Sequence, residues 1–466
     1  MINSFIFNIF GGTGDLAKKK LLPALYNLYK KDMLPENFKV ISIGRRNYTK
    51  NQYVNFLMED TKFSSRDKQL DDFLEKITYY EMNFDDSSKY KDLDVLNKKL
   101  GEEIKGDNRV FYFATPPSYF EVISNNLSMY YKNNQKNHQR VLIEKPFGSD
   151  LKSAEYFNEQ LEKAFDKNDI YRIDHYLGKE MIQNILTMRF TNQLFRNNWS
   201  KDSIDNIKIA ISENIGVEER INYYDSVGAL RDMVQNHLLQ ILSFLTLERP
   251  FEITTESLKK EKLNILKNLK TFTPDSIRSD VVFGQYDGYP VKSETETYVA
   301  LKTEILTDKW KGVPIYLMTG KHMSEKKAEV LITFKKDTSK DCFFNNDNVE
   351  NNLLAFKIQP TEGVYLRINS KVPGNNDVST VSLDYCQTCN TNYSSPEAYE
   401  KLLFDCLNRD KTLFASWEEI KYSWTFIDSI TKSCESRRKA LLKYPRGVED
   451  IKESTKLIGG GKWFLD

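Results

Sequence analysis

Ile2-Asn3-Ser4-Phe5-Ile6-Phe7-Asn8-Ile9-Phe10-Gly11-Gly12-Thr13-Gly14-Asp15-Leu16-Ala17 decides how the chain begins to fold. Residues 2–10 are mostly apolar, as a strand covered on both faces must be. They run straight into a glycine turn. Gly11 and Gly14 let the backbone bend tightly and approach a pyrophosphate. A helix starting near Asp15 aims free N–H groups and its dipole at such an anion. Ala17 permits close packing of that helix on the strand. Gly12, Thr13 and Leu16 complete the turn as candidate cofactor contacts. The spacing is G-x-x-G-x-x-A rather than G-x-G-x-x-G, so the turn taken alone also reads as an unliganded connection. Its strand–turn–helix context favours the nucleotide reading.

Apolar residues recur at Leu21, Leu22, Leu25 and Leu28, a helical stripe. Residues 39–43 form a second strand, and 77–82, 110–113 and 141–143 form further short ones. Helical patterns separate them, which predicts a doubly wound parallel sheet. The alternation fades after about Gly178. Further on, residues 206–213 place Ile207, Ile209 and Ile211 on one face. Residues 297–307, 313–318, 327–334, 354–358 and 364–368 read as more strands, joined too closely for helical crossovers. An antiparallel sheet is expected there. A long helix over about 225–248 precedes it, and helical patterns return over 396–442. The Asn-rich stretch 345–352 reads as a loop tip. The expected division is a dinucleotide-binding part over 1–178 and an α+β part over 179–466.

Bulk properties narrow the function. In 466 residues, 67 Lys and Arg balance 66 Asp and Glu, a net charge of +1. Neither nucleic acid nor a membrane surface is implied as a partner. Residues 1–10 lack a basic n-region and read as a core strand rather than a signal peptide. Residues 238–247 are too short to span a bilayer and include Gln240. Five cysteines in so long a chain suggest no disulfide framework and a reducing, cytoplasmic setting.

Three segments carry the chemistry: Glu144-Lys145-Pro146-Phe147-Gly148, Arg172-Ile173-Asp174-His175-Tyr176-Leu177-Gly178-Lys179-Glu180, and Arg231-Asp232-Met233-Val234-Gln235-Asn236-His237. Histidine suits a general base because its pKa lies near neutrality. The chain has four: His138, His175, His237 and His322. His237 shares a largely apolar helix with Asp232, Gln235 and Asn236. Buried polar groups need partners or a ligand, which sets this cluster apart from a lone core histidine. Asp174 alone reads as an N-cap or turn residue. After the second strand, Gly44-Arg45-Arg46 places two guanidinium groups where NAD enzymes carry an acid. They suit a 2′-phosphate and therefore NADP, with NAD as a weaker alternative. A solvated basic turn would look the same. Ala114-Thr115-Pro116-Pro117 follows the fourth strand as a rigid turn over the cofactor.

With the opening glycine turn, these segments occur in an order that resembles the glucose-6-phosphate dehydrogenase family. The resemblance runs on to Tyr444-Pro445 and Trp463. It implies a Rossmann-type first domain, and a second domain with a large, mainly antiparallel sheet and flanking helices. The active site would lie between them, and a homodimer or dimer of dimers would form through the second domain's sheet. His237 would be the general base and Asp174 would orient it. Lys145 would stand between substrate and cofactor, ahead of a proline that is often cis. His175, Tyr176, Lys179 and Lys326 would hold the phosphate of glucose 6-phosphate. Glu213, Asp232 and Lys321 would hold the sugar, with Gln359 contributing less directly. Arg45 would bind the 2′-phosphate. The chain is shorter than many relatives around 286–293. Other Rossmann sugar oxidoreductases of the glucose–fructose oxidoreductase type, or a non-catalytic NADP sensor, are the rival readings. Retention of His237 and Asp174 argues against the sensor. Cys386-Gln387-Thr388-Cys389 lacks the further ligands of a zinc site and reads as two unlinked surface thiols. His322 is expected at the surface.

Overall fold

The computed structural model describes residues 4–59, 63, 67–131, 139–336, 348–389, 395–435 and 441–465. His138 and part of the 345–352 stretch lie outside them. The chain divides into two compact units. One comprises Met1–Gly178 with Pro396–Trp417; the other comprises Lys179–Ser395 with Glu418–Asp466. The division in sequence at 178 had left 396–417 with the second part. The structure returns it to the first.

The first unit is built on a parallel sheet of β1 (Ser4–Phe10), β2 (Asn37–Gly44), β3 (Ile77–Glu81), β4 (Arg109–Phe113), β5 (Gln139–Ile143) and β6 (Ile170–Arg172). The order is β3-β2-β1-β4-β5-β6, that of a dinucleotide-binding sheet. Every residue of β1, β4 and β5 is buried, which explains their unbroken apolar runs. β6 has only three residues, too few for a period to show. The returning segment is fixed by Arg140. Its buried guanidinium donates to the carbonyls of Cys406 at 2.7 Å and Leu407 at 3.1 Å, at the end of helix Ala398–Leu407.

The second unit holds a nine-stranded sheet: β7 (Ile204–Ser212), β8 (Val281–Tyr286), β9 (Tyr298–Thr303), β10 (Ile315–Gly320), β11 (Lys327–Phe334), β12 (Leu353–Gln359), β13 (Gly363–Lys371), β14 (Val378–Cys386) and β15 (Leu441–Tyr444). The order is β14-β13-β12-β11-β7-β10-β9-β8-β15. Most neighbours are antiparallel as expected, but β7 pairs β10 and β8 pairs β15 in parallel. Helices lying between β7 and β10 in sequence supply the crossover that a parallel pair needs. Leu441 and Leu442, read as the end of a helical stretch, belong to β15 instead.

The helix expected over 225–248 is broken. Ile221–Ala229 stops at Gly228, whose φ of 72° and ψ of 171° lie outside the helical region. The chain restarts as a π-helical segment, Leu230–Leu238, and continues as helix Leu239–Thr246, every residue of which is buried. Its terminal carbonyls find side-chain donors. Trp199 donates to Leu245, Trp310 to Thr246, and Arg189 to Phe244 and Leu247. Burial pushes the Arg189 guanidinium down to about 9. Cys386 and Cys389 form a disulfide at the end of β14, which corrects the expectation of two unlinked thiols. The turn there brings their Cα atoms to 5.3 Å, a normal span for the bond. His322 is not a free surface ring either. It packs edge-on against Tyr286 at 4.5 Å and stands 3.8 Å from Glu218. Burial holds its imidazole below the ordinary histidine range. Among the described residues, no helix is long and apolar enough to cross a membrane.

Candidate active site

In the first unit, the glycine turn follows β1 as expected. Gly11 and Gly12 both donate N–H groups to Ile43, at 3.0 and 2.8 Å, and Gly14 donates to Gly11 at 2.9 Å. Gly11 has a φ of +93°, and a Cβ there would collide with the Ala114 carbonyl. At Gly12 a Cβ would strike Ser42. Close approach therefore depends on Gly11 and Gly12 more than on Gly14. Helical residues begin at Asp15, and Ala17 is buried where the helix meets the sheet. Thr13 and Leu16 are partly exposed at the turn. A stack of aromatic rings supports this edge. Tyr53 donates to the Gly12 carbonyl at 2.7 Å and stacks on Tyr79 at 4.6 Å, and Tyr79 donates to the Arg46 carbonyl at 2.6 Å.

The two arginines differ. Arg46 donates to Tyr48 at 3.2 Å and lies 5.5 Å from the Phe56 ring centre. Arg45 is exposed and forms no hydrogen bond or ion pair among the described residues. After β4, the Thr115 hydroxyl is buried without a hydrogen-bond partner among the described residues, while Pro116 is exposed. An orphaned buried hydroxyl beside a glycine turn fits a polar ligand.

Beyond β5, Glu144 accepts hydrogen bonds from Tyr112 at 2.6 Å and Tyr399 at 3.0 Å. Burial of this carboxyl pushes it above the ordinary carboxylate range, against the pull of those two phenols and of Lys145. Lys145 follows, half-buried, and the Lys145–Pro146 bond is cis. Asp174 is buried and accepts the Tyr176 N–H at 3.0 Å, so it does serve as a turn residue. His175 lies 5.1 Å from the Tyr176 ring and stacks on Tyr399 at 6.3 Å. Tyr399 thus joins the E-K-P and R-I-D-H-Y-L-G-K segments. It comes from the returning segment, and nothing local in the sequence signalled it.

In the second unit, Lys179 caps helix Glu180–Thr191 and its ammonium donates to Gln359 at 2.8 Å. Glu213 and Lys321 stand just past the ends of the parallel neighbours β7 and β10, and form an ion pair. The Lys321 ammonium also lies 5.0 Å from the Tyr224 ring centre. The Tyr224 hydroxyl is buried without a hydrogen-bond partner among the described residues. Burial raises this phenol far above its ordinary range, and the nearby Asp232 and Glu296 add to the effect. Asp232, Gln235, Asn236 and His237 all lie on the π-helical segment, and all are buried. His237 is only 1% exposed. Both amide atoms of Gln235 lack hydrogen-bond partners among the described residues. π-helical turns recur at functional sites. Lys326 is exposed on the turn between β10 and β11.

A model of the glucose-6-phosphate dehydrogenase NAD-binding domain matches residues 8–184, and one of the C-terminal domain matches 186–463. The chain belongs to the glucose-6-phosphate dehydrogenase family. It is 40% identical to glucose-6-phosphate 1-dehydrogenase of Bacillus subtilis, over 97% of this chain and 96% of that one. A solved glucose-6-phosphate dehydrogenase in complex with glucose 6-phosphate superposes with a TM-score of 0.91 at 33% identity, covering 100% of this chain and 99% of that one. The Mycobacterium avium glucose-6-phosphate 1-dehydrogenase gives 0.86 at 31%, with 100% and 99% covered. Family membership brings a nicotinamide cofactor to the first unit, where the glycine turn and the Thr115 hydroxyl fit it.

Proposed function

We propose that the chain oxidises glucose 6-phosphate at its anomeric carbon to the 6-phospho-lactone, the first step of the oxidative pentose phosphate pathway. The observation that carries this reading is its full-length likeness to a dehydrogenase that holds glucose 6-phosphate. His237 is the general base that removes the anomeric hydroxyl proton. Asp174 fixes its tautomer and stabilises its cation. Glu213, Asp232 and Lys321 bind the sugar hydroxyls, and Gln359 supports Lys179. The phosphate goes to His175, Tyr176, Lys179 and Lys326, three of which carry or can accept a positive charge. The bound nicotinamide accepts the hydride. Gly11, Gly12, Thr13, Gly14, Asp15 and Leu16 hold its pyrophosphate, Thr115 and Pro116 close over it, and Lys145 spans cofactor and sugar.

NADP is the preferred cofactor in this reading, because Arg45 is an exposed guanidinium with no hydrogen bond or ion pair among the described residues. NAD is accepted less well. We also read the protein as a cytoplasmic homodimer or dimer of dimers. The dimer reading rests on the uncovered end of the second unit's sheet. The cytoplasmic one rests on the small number of cysteines, five in 466 residues.

Phosphate recognition can be tested at Lys179. Lys179→Ala removes a charge-assisted donor, an interaction worth roughly 1.5–3 kcal/mol. The advantage in kcat/KM of glucose 6-phosphate over free glucose should shrink accordingly, with free glucose little changed. Equal losses for both sugars would mean that the lysine supports the fold or the ring instead.

A further inference from the structure

The break at Gly228 has a partner on the sheet. Glu296 lies two residues before β9, and its side chain is only 8% exposed. Its backbone carbonyl accepts the Ala229 N–H at 3.0 Å. Its carboxylate accepts the Leu230 N–H at 3.2 Å. A Cβ on Gly228 would lie 2.5 Å from that carboxylate oxygen, so the approach requires glycine. The first N–H groups of a helix need acceptors, and a carboxylate there also meets the positive end of the helix dipole. A usual cap comes from the residue just before the helix. This one comes from 66 residues away and ties the restarted helix to the sheet.

The same stretch of sheet holds the sugar-binding lysine. Thr297, next to Glu296, accepts the Lys321 N–H at 3.0 Å. Tyr444 locks the joint by donating to the Lys321 carbonyl at 2.7 Å and bonding the Thr297 hydroxyl at 2.9 Å. Glu296 and Thr297 therefore fix, from adjacent positions, the segment bearing Asp232 and His237 and the backbone of Lys321.

We infer that Glu296 is a positioning residue for the oxidation. By capping the helix restart, it sets where Asp232 and His237 stand relative to Lys321 and Glu213. The inference rests on the roles given above to His237 and Asp232. It explains why an acid sits between Thr295 and Thr297 at the start of a buried strand, and why the helix is interrupted just before its polar cluster.

Two substitutions separate reach from charge. Glu296→Gln keeps an acceptor of the same length and loses the charge; Glu296→Asp keeps the charge and falls short of Leu230. The aspartate variant should lose roughly 10–10²-fold in kcat, the scale of a small misplacement of reacting groups. The glutamine variant should stay close to wild type. Neither should change KM for the cofactor, because the glycine turn belongs to the other unit. Thermal unfolding should accompany both assays, since a purely structural role would lower the melting temperature and leave kcat of the folded enzyme intact. Wild-type kcat in Glu296→Asp, or an equal loss in Glu296→Gln, would overturn the inference. His237→Asn, run alongside, separates the two failures. Collapse there with Glu296→Asp intact rejects the cap alone, whereas wild-type turnover there rejects the role of His237 on which the cap depends.

Discussion

In the proposed mechanism, His237 is the residue on which the chemistry turns. It is almost fully buried, on a π-helical segment with three other buried polar side chains. Burial of that many polar groups is costly unless a ligand or partners meet them. His237→Asn keeps a hydrogen-bonding shape but cannot take the proton. It should lower kcat by about 10²–10⁴-fold, the usual worth of a general base. KM for glucose 6-phosphate should change far less. Stopped turnover with an unchanged melting temperature would confirm a chemical role, and near wild-type turnover would remove His237 from the mechanism. At this scale the sequence was highly legible, because the R-I-D-H-Y-L-G-K and R-D-M-V-Q-N-H runs are contiguous. Tyr224, Glu296 and Tyr399 were not legible. Each reaches its neighbours from a distant part of the chain, and an isolated Tyr or Glu has no local signature.

At the level of the element, the turn after β2 is the proposed determinant of cofactor choice. β2 ends at Gly44, so Arg45 and Arg46 follow the second strand, the position at which NAD enzymes carry the acid that meets the ribose. Arg46 is already engaged by Tyr48 and the Phe56 ring, whereas Arg45 is exposed and unpaired among the described residues. Arg45→Ala should therefore weaken NADP much more than NAD, and Arg46→Ala should act in the same direction but less. The ratio of kcat/KM for the two cofactors measures this. Equal losses for both cofactors would show that Arg45 reads no 2′-phosphate. Elements with one strong period were read well from sequence, such as β11 at residues 327–334. Those under mixed constraints were not. β14 is exposed through most of its length; Val381, Leu383 and Tyr385 alternate with Ser382 and Asp384, but over too short a run to stand out from a loop. The Gly228 break was hidden because Ser226, Val227 and Ala229 continue a helical pattern, and the acceptor that meets the restarted helix, Glu296, is distant in the chain.

For the whole molecule, the uncovered end of the large sheet bears on assembly. β14 is the outermost strand, and Val381, Leu383 and Tyr385 are 39, 56 and 51% exposed on alternate positions of one face. An exposed apolar edge strand invites pairing or covering. A second copy of this chain is the occupant proposed here, by a symmetric face-to-face contact. Leu383→Asp with Tyr385→Asp should convert the dimer to a monomer in sedimentation, with each unit still folded. An unchanged mass would place the dimer contact elsewhere. Sequence reading captured both sheets and the change from parallel to mainly antiparallel pairing, because strand spacing records it. It did not capture the return of 396–417 to the first unit, which depends on Arg140 meeting carbonyls more than two hundred positions away. The central claim is that this chain passes hydride from glucose 6-phosphate to NADP. Its most direct test is the rate of nicotinamide reduction by the purified protein, with NADP or NAD, and with glucose 6-phosphate or glucose. The account predicts rapid reduction of NADP with the phosphorylated sugar, slower reduction of NAD, and a far lower rate with free glucose; no reduction of either cofactor by glucose 6-phosphate would contradict it.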